Sequence, residues 1–185
     1  MSCRGRIQVR NDKGVQEQMT EVSALDQSQA SGREFSFALV VSRFNRAVTG
    51  KLLEGCRRAL LEREVEPGRI EVVWVPGAWE LPLVARRLAE TGDHDAVIAL
   101  GAVIRGQTAH FDFICTECAR GLQQSALDTG TPVLFGVLTC ENGEQALDRA
   151  DPERRDKGRE VAEAAIEMAA LMGKLAPPIT ERYAQ

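Results

Sequence analysis

The stretch Gly101–Phe113, reading GAVIRGQTAHFDF, sets one of the chain's two histidines behind a strand-like run and just ahead of a helical one. Imidazole is the side chain whose ordinary pKa, about 6.5, lets it both give and take a proton near neutrality. His110 is therefore a candidate general acid and base. Ahead of it, Arg105-Gly106-Gln107-Thr108 combines a permissive glycine with small polar residues, so successive backbone N–H groups can turn outward and hold an anion. A histidine after a strand, taken alone, reads as structural or merely exposed ahead of catalytic. Its neighbours have to decide.

Further candidates follow other strand-like runs. Phe44 and Trp79 could each be a surface cap over the core, but two aromatics on loops at one edge would make a stacking site for a planar ring. Glu80 could be only a first-turn helix residue favoured by the helix dipole, and Asn45 only a turn residue. Arg149 and Lys157 flank the break at Pro152; they read most simply as solvated charges, yet a loop carrying both suits a phosphate. Together these residues sketch a pocket for a flat heterocycle and a phosphate around one proton-transfer residue.

The elements that must position them alternate. Phe35–Val41 (FSFALVV), Ile70–Val75 (IEVVWV), Asp95–Leu100 (DAVIAL) and Pro132–Leu138 (PVLFGVL) are short apolar runs and read as strands, the third fully buried and ending at Gly101. A helix is predicted over Thr49–Arg63, where Leu52, Leu53, Cys56, Ala59 and Leu60 form one apolar stripe, and another over about Glu80–Glu90, with Pro82 in its first turn. A third runs from His110 to about Thr129 and closes at Gly130. Two more, Asn142–Ala150 and Arg155–Gly173, are separated by Asp151-Pro152, because proline disfavours helix in the residue before it. Right-handed crossovers then imply a four-stranded parallel sheet with helices on both faces, and such sheets bind ligands at the carboxyl ends of their strands. Residues 1–34 are polar and aperiodic and are expected to be a mostly mobile arm, and residues 174–185 a short tail, leaving 35–173 as one α/β domain.

Composition removes several function classes. With 185 residues, a formal charge of −4 and a pI near 5.4, the chain does not suit a nucleic-acid or anionic-membrane partner. The pairs Arg57-Arg58, Arg86-Arg87 and Arg154-Arg155 are expected on solvated helix faces or loops. No apolar run reaches the roughly 20 residues needed to span a bilayer, and the N-terminus lacks a signal-peptide centre, so a cytoplasmic location is expected. Cys3, Cys56, Cys115, Cys118 and Cys140 have no disulfide-framework spacing, and the lone Cys115-Thr-Glu-Cys118 falls inside a predicted helix, as small buried residues would. Neither Gly50-Lys51 nor Gly173-Lys174 follows a phosphate-binding glycine loop, and dinucleotide and serine-hydrolase signatures are missing. His94 sits far from His110 and is expected to be exposed, so no catalytic metal is expected. Metal-free acid–base chemistry remains.

VVSRFN (Val40–Asn45), VPGAWELPL (Val75–Leu83), GAVIRGQTAHFD (Gly101–Asp112), PVLFGVLT (Pro132–Thr139), EQALDRA (Glu144–Ala150) and DKG (Asp156–Gly158) occur in one order. That series resembles the 6,7-dimethyl-8-ribityllumazine synthases over about Phe35–Leu171. The resemblance implies a three-layer, flavodoxin-like α/β sandwich assembled as a homopentamer, and in many relatives as an icosahedral shell of 60 subunits. It implies condensation of 5-amino-6-(D-ribitylamino)uracil with 3,4-dihydroxy-2-butanone 4-phosphate, without cofactor or metal, in the penultimate step of riboflavin biosynthesis.

By position, Phe44 would stack on the pyrimidine; Ala78, Trp79 and Glu80 would contact the ribityl chain; Ala102, Val103 and Ile104 would line the ring pocket. Gln107 and Thr108 would hold the phosphate, and His110 would shuttle protons. Phe135, Arg149 and Lys157 would come from the adjacent subunit, Arg149 stabilising the departing phosphate. Three places depart from the family pattern: the stiff, charged Asp151–Asp156 turn, Gln107 where a smaller residue is frequent, and a segment before Phe35 without strand alternation. A non-catalytic lumazine- or flavin-binding protein, or an inactive shell protein, would share the scaffold. A signalling receiver would need an acidic pair after the first strand, which Ser42–Asn45 does not supply.

Overall fold

The computed structural model describes residues 31–175, so the expected arm up to residue 30, the tail from residue 176 and Cys3 lie outside the described residues. Nine main elements follow one another: β1 (Phe37–Ser42), α1 (Arg46–Glu62), β2 (Ile70–Val75), α2 (Leu81–Thr91), β3 (Ala96–Ile104), α3 (His110–Thr129), β4 (Val133–Cys140), α4 (Gly143–Ala150) and α5 (Lys157–Leu175). Short 3₁₀ turns at Pro67–Arg69 and Ala78–Glu80 flank β2. The sheet is parallel throughout, in the order β2-β1-β3-β4. No helix among the described residues is long and apolar enough to cross a membrane.

Alternate residues of a strand point to opposite faces, and here each face has its own core. Phe37, Leu39 and Val41 of β1 pack with Leu52, Cys56 and Ala59 of α1 and Val161, Ala162 and Ala165 of α5. Ala38 and Val40 pack the other way, with Leu81 and Ala85 of α2 and Cys118 and Leu122 of α3. The result is a three-layer sandwich of flavodoxin-like topology, whose chain reverses direction across the sheet between β1 and β3. The α1–α5 crossing is close enough that a Cβ on Gly158 would run into the Leu52 carbonyl, so only glycine fits there.

Several element boundaries differ from the sequence expectations. β1 starts at Phe37, because Ser36 is held outside the ladder by Asp95: its N–H donates to Oδ2 at 2.7 Å, and its carbonyl accepts the Asp95 N–H at 2.8 Å. α1 begins at Arg46, ahead of the apolar stripe, its first turn pairing exposed Arg46 and Ala47 with buried Val48 and Thr49. Gly101 does not end β3. The strand continues to Ile104, pairing Gly101 to Ile104 with Val137 to Cys140, and Gly101 serves as a close-approach point where a Cβ would lie 3.0 Å from Leu81 Cδ1. α5 starts at Lys157, because Asp156 adopts a left-handed conformation (φ 38) and its carboxylate accepts the Arg159 N–H at 3.0 Å.

Two side chains expected in solvent are engaged instead. The Arg58 guanidinium crosses from α1 to the 151–156 turn, donating to the Pro152 carbonyl at 2.9 Å and to Asp156 at 3.0 Å. His94 is largely covered, its side chain 11% exposed, with Nε2 3.0 Å from the Glu71 carboxylate. The contact links the entry to β3 with β2, on the far side of β1.

Candidate active site at the carboxyl edge of the sheet

Loops after β1, β2 and β3 enclose a cavity of about 340 Å³. Behind β1 the chain turns through Asn45, whose φ of 59° is a conformation that asparagine tolerates better than most residues. Its amide donates to the Ala102 carbonyl at 2.9 Å, and its own carbonyl accepts the Val48 N–H at 2.8 Å. This clips the turn to β3 and leaves Phe44 on the cavity wall, 68% exposed. Beyond β2, the turn at Ala78–Glu80 adds Ala78 and an exposed Trp79 to the wall. The Glu80 carboxylate lies beside Gly77, 3.2 Å from where a Cβ would stand.

The end of β3 contributes Ala102, Val103 and Ile104, and the following loop and helix contribute Gly106, Thr108, His110, Phe111 and Ile114. α3 begins without a side-chain cap at Ala109; the nearest substitute is Thr108 Oγ, which accepts the His110 N–H at a long 3.4 Å. α4 is the contrast, since Asn142 Oδ1 accepts the Gln145 N–H at 2.9 Å. An uncapped helix start carries free N–H groups and the positive end of the helix dipole, a natural seat for a phosphate. His110 is exposed on the cavity, and among the described residues no carboxylate pairs with it.

Arg105 contributes no free charge to this loop. Its guanidinium donates to Glu141 at 2.9 and 3.1 Å and to Asp112 at 3.0 and 3.3 Å, and it lies 4.1 Å from the Phe111 ring centre. Asp112 first, then Glu141, push its pKa further up. One cation and two carboxylates make a net negative cluster, unsuited by itself to holding an anion.

The sequence candidates therefore divide. Phe44, Ala78, Trp79, Ala102, Val103, Ile104, Thr108 and His110 line one cavity. Asn45 braces its wall through Ala102, Glu80 lies beside Gly77, and Gln107 sits in the same loop as Thr108. Phe135 and Lys157 instead line a separate cavity of about 290 Å³ between β4 and α5. Arg149 lies on α4, its Nη1 donating to the Gln145 carbonyl at 3.3 Å. Phe111 and Ile114 escaped the sequence reading; their apolar spacing along α3 signals burial but not which cavity they face. Cys115 and Cys118 lie within α3, and desolvation pushes the Cys118 thiol up to about 12, as befits an unreactive packing group.

A mostly apolar cavity with a few convergent polar groups, placed where the chain reverses across the sheet, defines a flavodoxin-like domain with a small-molecule site at its carboxyl edge. Residues 34–173 match the 6,7-dimethyl-8-ribityllumazine synthase family, and the chain belongs to that family.

Proposed function

We propose that the chain condenses 5-amino-6-(D-ribitylamino)uracil with 3,4-dihydroxy-2-butanone 4-phosphate to 6,7-dimethyl-8-ribityllumazine, the penultimate step of riboflavin biosynthesis. The observation that carries this reading is the position of His110, at the uncapped start of α3 and on a cavity whose wall includes Phe44 and Trp79. A pyrimidine stacks on Phe44, with its ribityl chain along Ala78, Trp79 and Glu80. The keto-phosphate sits with its phosphate toward Gln107, Thr108 and the first N–H groups of α3.

The amine attacks the ketone, and loss of water gives an imine. Phosphate then leaves, and the second amine closes the ring with loss of another water. Each step moves a proton, and an imidazole within reach of the reacting atoms typically contributes about 10²–10⁴-fold. A cation beside the departing phosphate offsets its developing charge.

Phe135, Arg149 and Lys157 supply the other side of the site from an adjacent subunit of a pentamer. Two observations support that arrangement: they lie off the cavity of their own chain, and Phe135 is 46% exposed on β4, an edge strand. The test is a single-turnover assay with both purified substrates, following lumazine absorbance and phosphate release together. Formation of both products in step supports the reading. Tight binding of lumazine without any product would replace it with a carrier or shell protein.

A further inference from the structure

The Arg105 cluster joins the two halves of that chemistry. Arg105 closes β3: its N–H donates to the Cys140 carbonyl at 2.9 Å, and its side chain then reaches two carboxylates on different elements. Asp112 lies in the first turn of α3, two residues beyond His110. Glu141 lies between β4 and α4, and its N–H donates to Gln145 Oε1 at 3.1 Å. Gln145 also carries the carbonyl on which the Arg149 guanidinium rests. A continuous set of polar contacts thus runs from the start of α3 through Arg105 and Glu141 to Arg149.

Stability does not explain this cluster, because the carboxylates of Asp112 and Glu141 are mostly exposed and such pairs contribute little. Anion binding does not explain it either, since the cluster is net negative. Geometry does. A guanidinium presents donors in a rigid planar fork, so holding both carboxylates sets the distance between the start of α3 and the start of α4.

We infer that Arg105 is a positioning residue with two arms: through Asp112 it sets where His110 stands in its own cavity, and through Glu141 it sets where Arg149 stands for the adjacent subunit's site. The inference rests on the synthase reading and adds to it a contact that ties one site to the next. The two arms have different kinetic signatures. Displacing a proton-transfer group lowers kcat, whereas displacing a phosphate-binding cation raises the KM of the phosphorylated substrate.

The experiment compares the assembled wild type with Asp112→Asn, Glu141→Gln, Arg105→Ala and Arg105→Lys, varying each substrate and recording melting curves. Asp112→Asn is expected to lower kcat about 10-fold with both KM values held, and Glu141→Gln to raise the keto-phosphate KM about 3- to 10-fold with kcat nearly held. Arg105→Ala combines both losses, approaching about 100-fold in kcat/KM, and Arg105→Lys recovers only part because an ammonium lacks the fork. All four keep melting temperatures within about 3 °C of the wild type.

The inference is overturned if Asp112→Asn and Glu141→Gln change the same parameter, if either leaves kinetics unchanged, or if activity merely follows the melting temperature. A wild type that makes no lumazine overturns the synthase reading and this inference with it. An active wild type with unaffected variants overturns the inference alone.

Discussion

β3 has a histidine beyond each of its ends, and the two have become different objects. His94, before the strand, is covered, paired through Nε2 with Glu71 across the start of β1, and its Nδ1 is shut away without a hydrogen-bond partner among the described residues. His110, after the strand, is exposed on a cavity beside an uncapped helix start. The chemistry of the residue is identical, so the difference lies in what a parallel sheet gathers at each edge. Its carboxyl edge collects helix N-termini, with free donors and a positive dipole end. Its amino edge collects the loops that close each crossover, and here a ring and a carboxylate tie the entry to β3 to β2 across β1. His94 is a strut between the loop before β3 and strand β2, and His110 faces a cavity.

Substitutions at the two ends should therefore part company. His110→Ala is expected to lower the single-turnover rate by about 10²–10⁴-fold while leaving the melting temperature and pyrimidine affinity nearly unchanged. A rapid-mixing assay beside a thermal melt checks it, and full activity would break the contrast.

The next effect in size tests whether the site proposed at the His110 end is complete within one chain. Arg149→Ala is expected to raise the keto-phosphate KM about 10- to 100-fold. Mixed with His110→Ala and reassembled in equal amounts, it should recover about a quarter of the wild-type sites under the proposed ring, in which each site would draw His110 from one subunit and Arg149 from its neighbour. No recovery would mean that both residues serve the same chain.

At the other end, His94→Leu is expected to cost roughly 0.5–1.5 kcal/mol of stability, the usual net worth of a lost hydrogen bond, with turnover intact. Urea denaturation read against kcat decides this, and a fall in turnover without a fall in stability would make His94 more than a strut.

The smallest effect concerns the turn at 151–156 beyond Arg149. Arg154, and Arg155 with it, hold the Asp148 carboxyl below its usual range; the Glu153 N–H, followed by Lys51, does the same for Asp151. A depressed folded-state pKa stabilises fully above the unfolded value, near 3.9, and is lost as pH falls through the lower folded value. Amide-exchange protection of this turn should hold steady between pH 5 and 8 on this account and drop below about pH 4. Loss of protection already at pH 6 would assign the turn to other contacts.

Much of this molecule was legible because its two central strands, β1 and β3, are buried on both faces and its helices on one. Continuous runs such as DAVIAL and the stripe from Leu52 to Leu60 announce their elements without further context. The errors came where tertiary pairing overrode a local signal. Gly101 looks like a stop, yet β3 passes through it because the edge of β4 is there to pair with and Leu81 needs the space. Three residues of the cavity wall come from that extension. His94 looked exposed because a Gly92-Asp93-His94-Asp95 turn is polar, and its partner Glu71 stands 23 positions earlier. Arg105 read as part of an anion nest, and only folding shows that Asp112 and Glu141 have already taken its charge.

The sequence by itself determined the alternation of elements, the parallel sheet, the edge at which chemistry collects and the family to which residues 34–173 belong, because hydrophobic period and motif order are local properties that survive any arrangement in space. The tertiary structure decided which of those residues meet. It joined Phe44, Trp79 and His110 across 66 positions into one cavity, and it left Phe135, Arg149 and Lys157 facing elsewhere. Contacts between distant segments depend on strand order, register and the turn geometry of a few residues such as Asn45 and Asp156, and none of these is written in the spacing of residue types.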